Sequence, residues 1–357
     1  MGVLSEDKNM FQAIEQMIFR NLTPMSIRHL PPPDIAGATG LSAAVYRQLE
    51  QEFQTVPPVT MHHLNPQLMA GVWSACRESL IAGPDRALKE AVAVAVSKSN
   101  RCPYCVQAHI SMLRGTGDAD ALHAAEGSAS GAGPFSDAVA WAASTGRASE
   151  HPSALPFSRQ QAPAVMATAV LFHYINRMVN IFLDDTMMPI VGKVPLLADQ
   201  ALKVFGSVVS KRIVSVDVAP GVFLTASPLA ALPGAFSWAS GDPNVAGGLL
   251  RFTSAVDAAS SNSVDFGVQE LLVRTLADWN GEPQGPGKGW LDATVSALPK
   301  QNRPQARIAL LAALASWAVD DAEIAAFKRT GLGDRELLDT AAWGSYLAAG
   351  RIAGFLR

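Results

Sequence analysis

The sequence predicts an all-α protein, and three observations support this fold class. First, 49% of the 357 residues are hydrophobic, which is enough to form a large core. Second, alanine dominates runs such as "AVAVAV" and "IALLAALASWAV", and alanine favours helices over strands. Third, residues typical of helix ends bracket the apolar segments, as Pro103 and Gly117 do around one of them.

The net charge and the cysteine content limit the classes of function that the sequence allows. The formal net charge is −3 without a long basic run, which disfavours a nucleic-acid partner. The N-terminus lacks a signal-peptide pattern, and the uninterrupted apolar stretches fall short of the roughly 20 residues that span a bilayer. Three cysteines do not make a disulfide framework. We therefore expect a cytoplasmic protein without a membrane partner, in which a close cysteine pair is redox-active or binds metal.

The helices of the first half are predicted between residues 42 and 190. Residues 1–41 form an N-terminal extension that ends in the loop "LPPPDIAGATG". Helical periodicity and helix-end residues then predict a series of helices. These are "LSAAVYRQLEQEF", "QLMAGVWSACRESLIAG", "DRALKEAVAVAVSKS", "CPYCVQAHISMLRGTG" and the segments around 136–145 and 161–183.

An internal repeat predicts a second helical unit at 229–357, joined to the first by an irregular linker at 191–228. Three segments recur in the same order, which indicates a duplication. The matched pairs are 65–73 with 242–250, 85–105 with 265–285, and 170–180 with 344–354. The second pair aligns Glu90 with Glu270 but aligns "CPYCVQAH" with "EPQGPGKG". The sequence therefore predicts a degenerate second copy that lacks both cysteines and the histidine.

The segment from Glu90 to His109 gathers the reactive side chains of the first copy. Cys102 and Cys105 lie three residues apart and Cys105 and His109 four apart, so all three share one helix face. With Pro103 in the first helical position, Cys102 lies near the N-cap, where the helix dipole lowers a thiol pKa. A histidine one turn away can accept the thiol proton, and Glu90 can orient that histidine if the chain folds back.

Two other interpretations fit the same four residues. Cys102, Cys105, His109 and Glu90 can together form a metal site, although structural zinc requires four suitably placed ligands. Alternatively, the chain is a non-catalytic helical assembly protein in which the Cys-x-x-Cys pair is a redox sensor or a relic. We do not assign a resident cofactor or metal.

The spacing of Glu90, Cys102, Cys105 and His109 resembles the signature of the AhpD-like alkylhydroperoxidases. That family belongs to the carboxymuconolactone decarboxylase superfamily. The resemblance covers most of the first copy and extends to "LFHYINRMVN", which resembles the closing helix of the family. It implies an all-helical fold of two tandem AhpD-like units, assembly into a homo-oligomer, and reduction of hydroperoxides by a cysteine pair. Because the chain is duplicated, we expect a trimer or otherwise a dimer.

The resemblance also implies a role for each residue. Cys105 is the peroxidatic thiol, Cys102 the resolving thiol, His109 the base and Glu90 its partner in a proton relay. The cycle passes through a Cys102–Cys105 disulfide, which an external dithiol of the lipoyl or thioredoxin-like type reduces. A disulfide is the alternative substrate to a hydroperoxide.

Two further residues are expected to line this site. Tyr104 stands where the studied peroxidases carry a histidine, and a tyrosine cannot act as a base near neutral pH. His173 lies among apolar residues of the segment "LFHYINRM", which suits a core or cleft-lining position.

Overall fold

Helices form all the regular elements of the part of the chain that the structure describes. The computed structural model describes residues 16, 20, 23–128, 133–150, 154–186, 210–211, 213–285 and 287–356. Within these ranges the β-structure amounts to one isolated antiparallel bridge between Ile27 and Leu183. The prediction of an all-α fold is confirmed.

Among the described residues, eight α-helices of four or more residues lie in the first half and six in the second. The first-half helices are α1 (Gly40–Glu52), α2 (Pro57–Thr60), α3 (Pro66–Cys76), α4 (Arg86–Ser99), α5 (Pro103–Thr116), α6 (Ala119–Glu126), α7 (Pro134–Ser144) and α8 (Ala162–Phe182). The second-half helices are α9 (Pro243–Ser263), α10 (Phe266–Ala277), α11 (Gly289–Val295), α12 (Arg303–Leu314), α13 (Asp321–Lys328) and α14 (Asp334–Ala353). A π-helical turn at Arg77–Ile81 continues α3, and short 3-10 turns occupy Gly234–Gly241, Ser316–Ala318 and Gly354–Leu356.

Helix α4 is the central element of the first half. All its residues from Leu88 to Ser97 are buried, and it packs against α5, α7 and α8. An alanine-rich helix fits this position because small side chains let several helices approach it closely. The two buried charged residues are satisfied: Lys89 donates to the carbonyl of Ala82 at 2.8 Å, and Glu90 belongs to the site described below.

Helix α5 begins and ends where the sequence predicts. Cys102 is its N-cap residue and Pro103 its first residue. Gly117 ends the helix in a left-handed conformation with φ 76°, which suits a glycine. Helices α4 and α5 therefore form an antiparallel pair that sets Cys102 and Cys105 against the core.

The contact between α3 and α9 carries the signature of a duplication. Each helix begins with a side-chain cap followed by proline, Asn65 in one and Asp242 in the other. A Cβ added to Gly71 would lie 2.9 Å from the Arg251 carbonyl oxygen, and one added to Gly248 would lie 2.8 Å from the Ser74 carbonyl oxygen. These contacts are reciprocal, since the same spacing relates Gly71 to Gly248 and Ser74 to Arg251. The two helices thus cross about a local pseudo-twofold axis.

The repeat continues differently from the sequence alignment after α9. Glu270 is exposed on α10, whereas Glu90 is wholly buried on α4. In the second half, helix α12 packs in a similar way to α4: it is buried and lies against the long closing helix α14. Glu270 therefore lacks the internal position of Glu90, because α10 lies at the periphery and buries only one face.

The described part of the predicted linker packs on both halves. Residues 191–209 lie outside the described residues, but the Ala219 carbonyl accepts from Arg77 Nη2 at 2.7 Å. The Gly221 amide donates to Glu78 at 2.9 Å, and the Thr225 carbonyl accepts from Arg251 at 3.0 Å. This segment therefore fastens the π-helical turn after α3 to α9.

Helix α8 is the one described helix that is long and apolar enough to cross a membrane. However, 94% of its apolar window is buried inside the protein. Its position between α4 and α14 makes it a core helix. Arg177 on α8 donates to the Ala313 carbonyl at 3.0 Å, which links this helix to the end of α12.

Candidate active site

Both cysteines of the pair are free thiols in the first turn of α5, and each is about 1% exposed. Burial raises the pKa of Cys105 well above its usual value, and the adjacent Cys102 adds to this effect. A hydrogen bond from Asn176 acts in the opposite direction. At Cys105 burial outweighs this hydrogen bond, so its resting form is the protonated thiol.

Glu90 lies between a guanidinium and an imidazole. Its Oε1 accepts from Arg86 Nε at 2.7 Å, and its Oε2 lies 2.5 Å from His109 Nδ1. Burial alone would raise the pKa of Glu90, but the charges and hydrogen bonds of Arg86 and His109 outweigh it and lower the pKa. Glu90 is thus an ionised carboxylate that is 0% exposed.

His109 is fixed by this carboxylate and by one aromatic ring. The Phe172 ring lies edge-on to the imidazole, with the ring centroids 4.6 Å apart. Because Nδ1 is hydrogen-bonded to Glu90, Nε2 is the ring nitrogen that remains for proton exchange with another group. The side chain of His109 is 12% exposed, so the imidazole is the more accessible end of the site. Glu90 and His109, predicted to meet if the chain folds back, are in direct contact.

Tyr104 is buried beside the two sulfur atoms. Burial raises the pKa of its phenol, and the neighbouring Cys105 and Cys102 raise it further. The phenol therefore stays protonated at every physiological pH, and it cannot act as a base.

His173 lies behind the cysteine pair in a chain of hydrogen bonds that the sequence did not predict. Its Nδ1 is 3.1 Å from the Asn100 amide nitrogen, and its Nε2 is 2.9 Å from the Thr145 hydroxyl. Asn100 in turn donates to Asn176 at 3.0 Å, and Asn176 contacts Cys105. Burial lowers the pKa of His173 well below its usual value, and Arg177 lowers it further. His173 is thus a neutral residue two side chains away from the sulfur.

The residues missed by the sequence interpretation are Asn100, Thr145 and Asn176. One sequence signal points to part of this chain, since polar residues interrupt the apolar helix α8 at His173, Asn176, Arg177 and Asn180. Buried polar groups of this kind require partners. Thr145 and Asn100 stand in turns, and their sequence context does not distinguish them from other polar turn residues.

The second half has a cluster of ion pairs between α12 and α13. Glu323 on α13 accepts from Arg307 on α12 at 2.6 and 2.8 Å, and Lys288 lies 3.4 Å away. The second half therefore has a charged contact between two helices but no sulfur to activate.

The metal interpretation finds no support in the described part of the chain. Within it, no group of three or more His, Cys, Asp or Glu side chains is arranged to hold a metal ion.

Comparison with known proteins identifies two similarities. Residues 66–147, from α3 to the turn after α7, match the model of the carboxymuconolactone decarboxylase family. A Mycobacterium tuberculosis (strain H37Rv) protein named alkyl hydroperoxide reductase Rv2159c is 32% identical over 334 residues, which cover 92% of this chain and 95% of that protein. No solved structure matches the chain significantly.

Proposed function

Because the chain belongs to the carboxymuconolactone decarboxylase family and resembles its AhpD-like members, we propose that it is a thiol-dependent peroxidase. The observation that carries this proposal is the contact between Glu90 and His109, one helical turn below Cys105. A buried carboxylate that holds an imidazole in one tautomer is the arrangement expected of a general base. The second half has no thiol, so each chain has one reactive site.

The proposed cycle begins at Cys105. His109 takes the thiol proton, and the thiolate attacks one oxygen of the hydroperoxide, so that the O–O bond breaks. The products are a Cys105 sulfenic acid and an alcohol, whose oxygen takes up a proton. The Cys102 thiol then displaces water from the sulfenic acid and forms the disulfide. An external dithiol restores both thiols by two exchange steps and leaves as its own disulfide.

The electrostatics of the site indicate how Glu90 contributes to the reaction. The raised pKa of Cys105 means that the proton must leave during the reaction, so a base is required at that moment. Accepting it gives His109 a positive charge, which the ionised Glu90 carboxylate stabilises. Both sulfurs are buried, so we expect a small opening of the first turn of α5 when substrate or reductant approaches.

The proposal includes the partners of this reaction. The electron donor is a dithiol of the lipoyl or thioredoxin-like type, since a second thiol pair returns the disulfide to a dithiol by two exchange steps within one molecule. We place the reaction in the cytoplasm, where reduced thiols persist. A disulfide substrate would use the same residues without the sulfenic acid step.

Cysteine variants test the function. The purified protein with a lipoyl dithiol should consume an alkyl hydroperoxide, and Cys105→Ser should reduce the rate to the uncatalysed background. Cys102→Ser should accumulate a sulfenic acid at Cys105, which a dimedone adduct detected by mass spectrometry reports.

Cys76→Ser is the matched control, because burial raises the pKa of Cys76 to about 12 and its thiol lies outside the site. It should keep full activity. Absence of peroxide turnover in the wild-type protein with every dithiol tested would favour the redox-sensor interpretation instead.

A further inference from the structure

In the hydrogen-bond chain that leads to Cys105, the donor and the acceptor of each bond can be assigned. The assignment starts from Ser97 at one end of the chain. The Ser97 hydroxyl donates its single proton to the Ala93 carbonyl at 2.7 Å. It can therefore only accept from the Asn176 side chain, whose Nδ2 lies 3.0 Å away. This fixes the amide group of Asn176, with its nitrogen towards Ser97 and its oxygen on the opposite side.

The other end of the chain gives the same direction. The Thr145 hydroxyl donates to the Ala142 carbonyl at 2.7 Å, so it accepts from Nε2–H of His173 at 2.9 Å. A neutral His173 with its proton on Nε2 accepts at Nδ1 from the Asn100 amide nitrogen. The second proton of that nitrogen goes to the Asn176 oxygen at 3.0 Å. Both ends of the chain thus require the same orientation of Asn176.

We propose that Asn176 is a fixed N–H donor to the Cys105 sulfur and stabilises its thiolate. The Asn176 nitrogen has two protons; one is used by Ser97, and the other is available to the sulfur that it contacts. A hydrogen bond from an amide is stronger to an ionised sulfur than to a neutral thiol, so it favours the reactive form. The contribution to peroxide reduction rests on the proposed function, whereas the effect on the thiol does not.

His173 is then a positioning residue. Its ring nitrogens are both occupied, one as a donor to Thr145 and one as an acceptor from Asn100. It holds Asn100, and through it Asn176, in the orientation that presents an N–H to the sulfur.

The test is a titration of the Cys105 thiol by its ultraviolet thiolate absorbance, in the Cys76→Ser, Cys102→Ser background. This readout requires neither peroxide nor a reductant. Asn176→Asp has almost the same shape but replaces both N–H donors by a carboxylate, so the lost donors and the added charge should together raise the Cys105 pKa by about one unit or more. Asn176→Ala adds no charge, so a rise in that variant reports the loss of the donors alone. At a pH below the pKa, that shift lowers the thiolate fraction about tenfold per unit.

Asn180→Asp is the matched control on the same helix. Asn180 donates to the Asn100 carbonyl at 3.3 Å and to the Ser316 hydroxyl at 3.1 Å. It is expected to leave the Cys105 pKa unchanged, and Asn176→Ala provides a neutral second variant if the aspartate variant does not fold. The proposal is overturned if the folded Asn176 variants titrate like the control. Raised thiol pKa values in a protein without peroxide turnover would uphold this inference and reject the proposed function.

Discussion

At the scale of single residues, Glu90 and Glu323 are two buried carboxylates with different partners. Glu90 contacts a cation and the imidazole of His109, whereas Glu323 contacts Arg307 and Lys288. The first arrangement leaves one titratable group free to accept a proton. The second neutralises the carboxylate with permanent cations, so it serves only stability.

The variants Glu90→Gln and Glu323→Gln separate these two roles. Glu90→Gln should reduce peroxide turnover by a factor of about 10²–10⁴, the usual contribution of a general base. It should also destabilise the fold by about 3 kcal/mol, because it leaves a partly buried Arg86 without its counter-charge. Glu323→Gln should cost about 2 kcal/mol and leave the turnover of folded protein unchanged. Steady-state kinetics and thermal unfolding check both, and equal turnover in the two variants would contradict the relay.

The pH dependence of stability follows from the same carboxylate. Since the pKa of Glu90 is lower in the folded state, its contribution is complete above the usual glutamate pKa of about 4.3. It is lost as the pH falls through the folded value. The acid limb of the stability profile should therefore be flatter in Glu90→Gln than in the wild type.

The sequence predicted the residues of the relay but not those of the hydrogen-bond chain. Glu90, Cys102, Cys105 and His109 lie within twenty residues and at helical spacing, so their chemistry can be inferred locally. Asn100, Thr145 and Asn176 meet only because α8 packs against α4. Contacts over such separations depend on tertiary packing, which spacing along one chain does not specify.

At the scale of the elements, the crossing of α3 and α9 depends on two glycines. Both helix backbones approach so closely that a methyl group at either position would contact a carbonyl oxygen of the other helix. The caps and periodicity of these helices were predictable from the sequence. The sequence aligns α10 with α4 because both begin after an aspartate and contain a glutamate at the same spacing, but burial differs, since only α4 is buried on all sides.

Gly71→Ala should destabilise the protein by about 1–3 kcal/mol, the usual cost of overpacking a core. Gly248→Ala should cost a similar amount, because it meets the reciprocal contact. The double variant should cost less than the sum, since the first separation of the helices makes room for the second methyl group. Gly289→Ala is the control, because a Cβ there would meet no atom within 4 Å. Denaturant unfolding measures the stability of all four variants. If Gly71→Ala had the stability of the wild type, the two helices could move apart without cost, which would contradict the prediction.

At the scale of the whole molecule, the two copies share one hydrophobic core that runs from Leu30 to Leu356. Helices α8 and α14 pack directly on each other, as the closing helices of two subunits would. A duplicated chain of this kind resembles a fused dimer of single-copy relatives.

The oligomeric state tests this view. If three chains reproduce a hexamer of single units, light scattering should give a mass of three times 37.7 kDa, or of twice that value for the alternative dimer. Because both copies belong to one covalent chain, dilution does not separate them. A mass equal to one chain would contradict the expected assembly.

Asn176 and Arg177 are neighbours on α8, and they face different halves of the protein. One contacts the sulfur of Cys105, and the other contacts the backbone at the end of α12. The copy without thiols therefore contributes one of the contacts that hold α8 in its orientation, and with it the orientation of the Asn176 amide. A change at the contact between α8 and α12 is therefore expected to shift Asn176 as well, so that the half without thiols influences the sulfur without touching it.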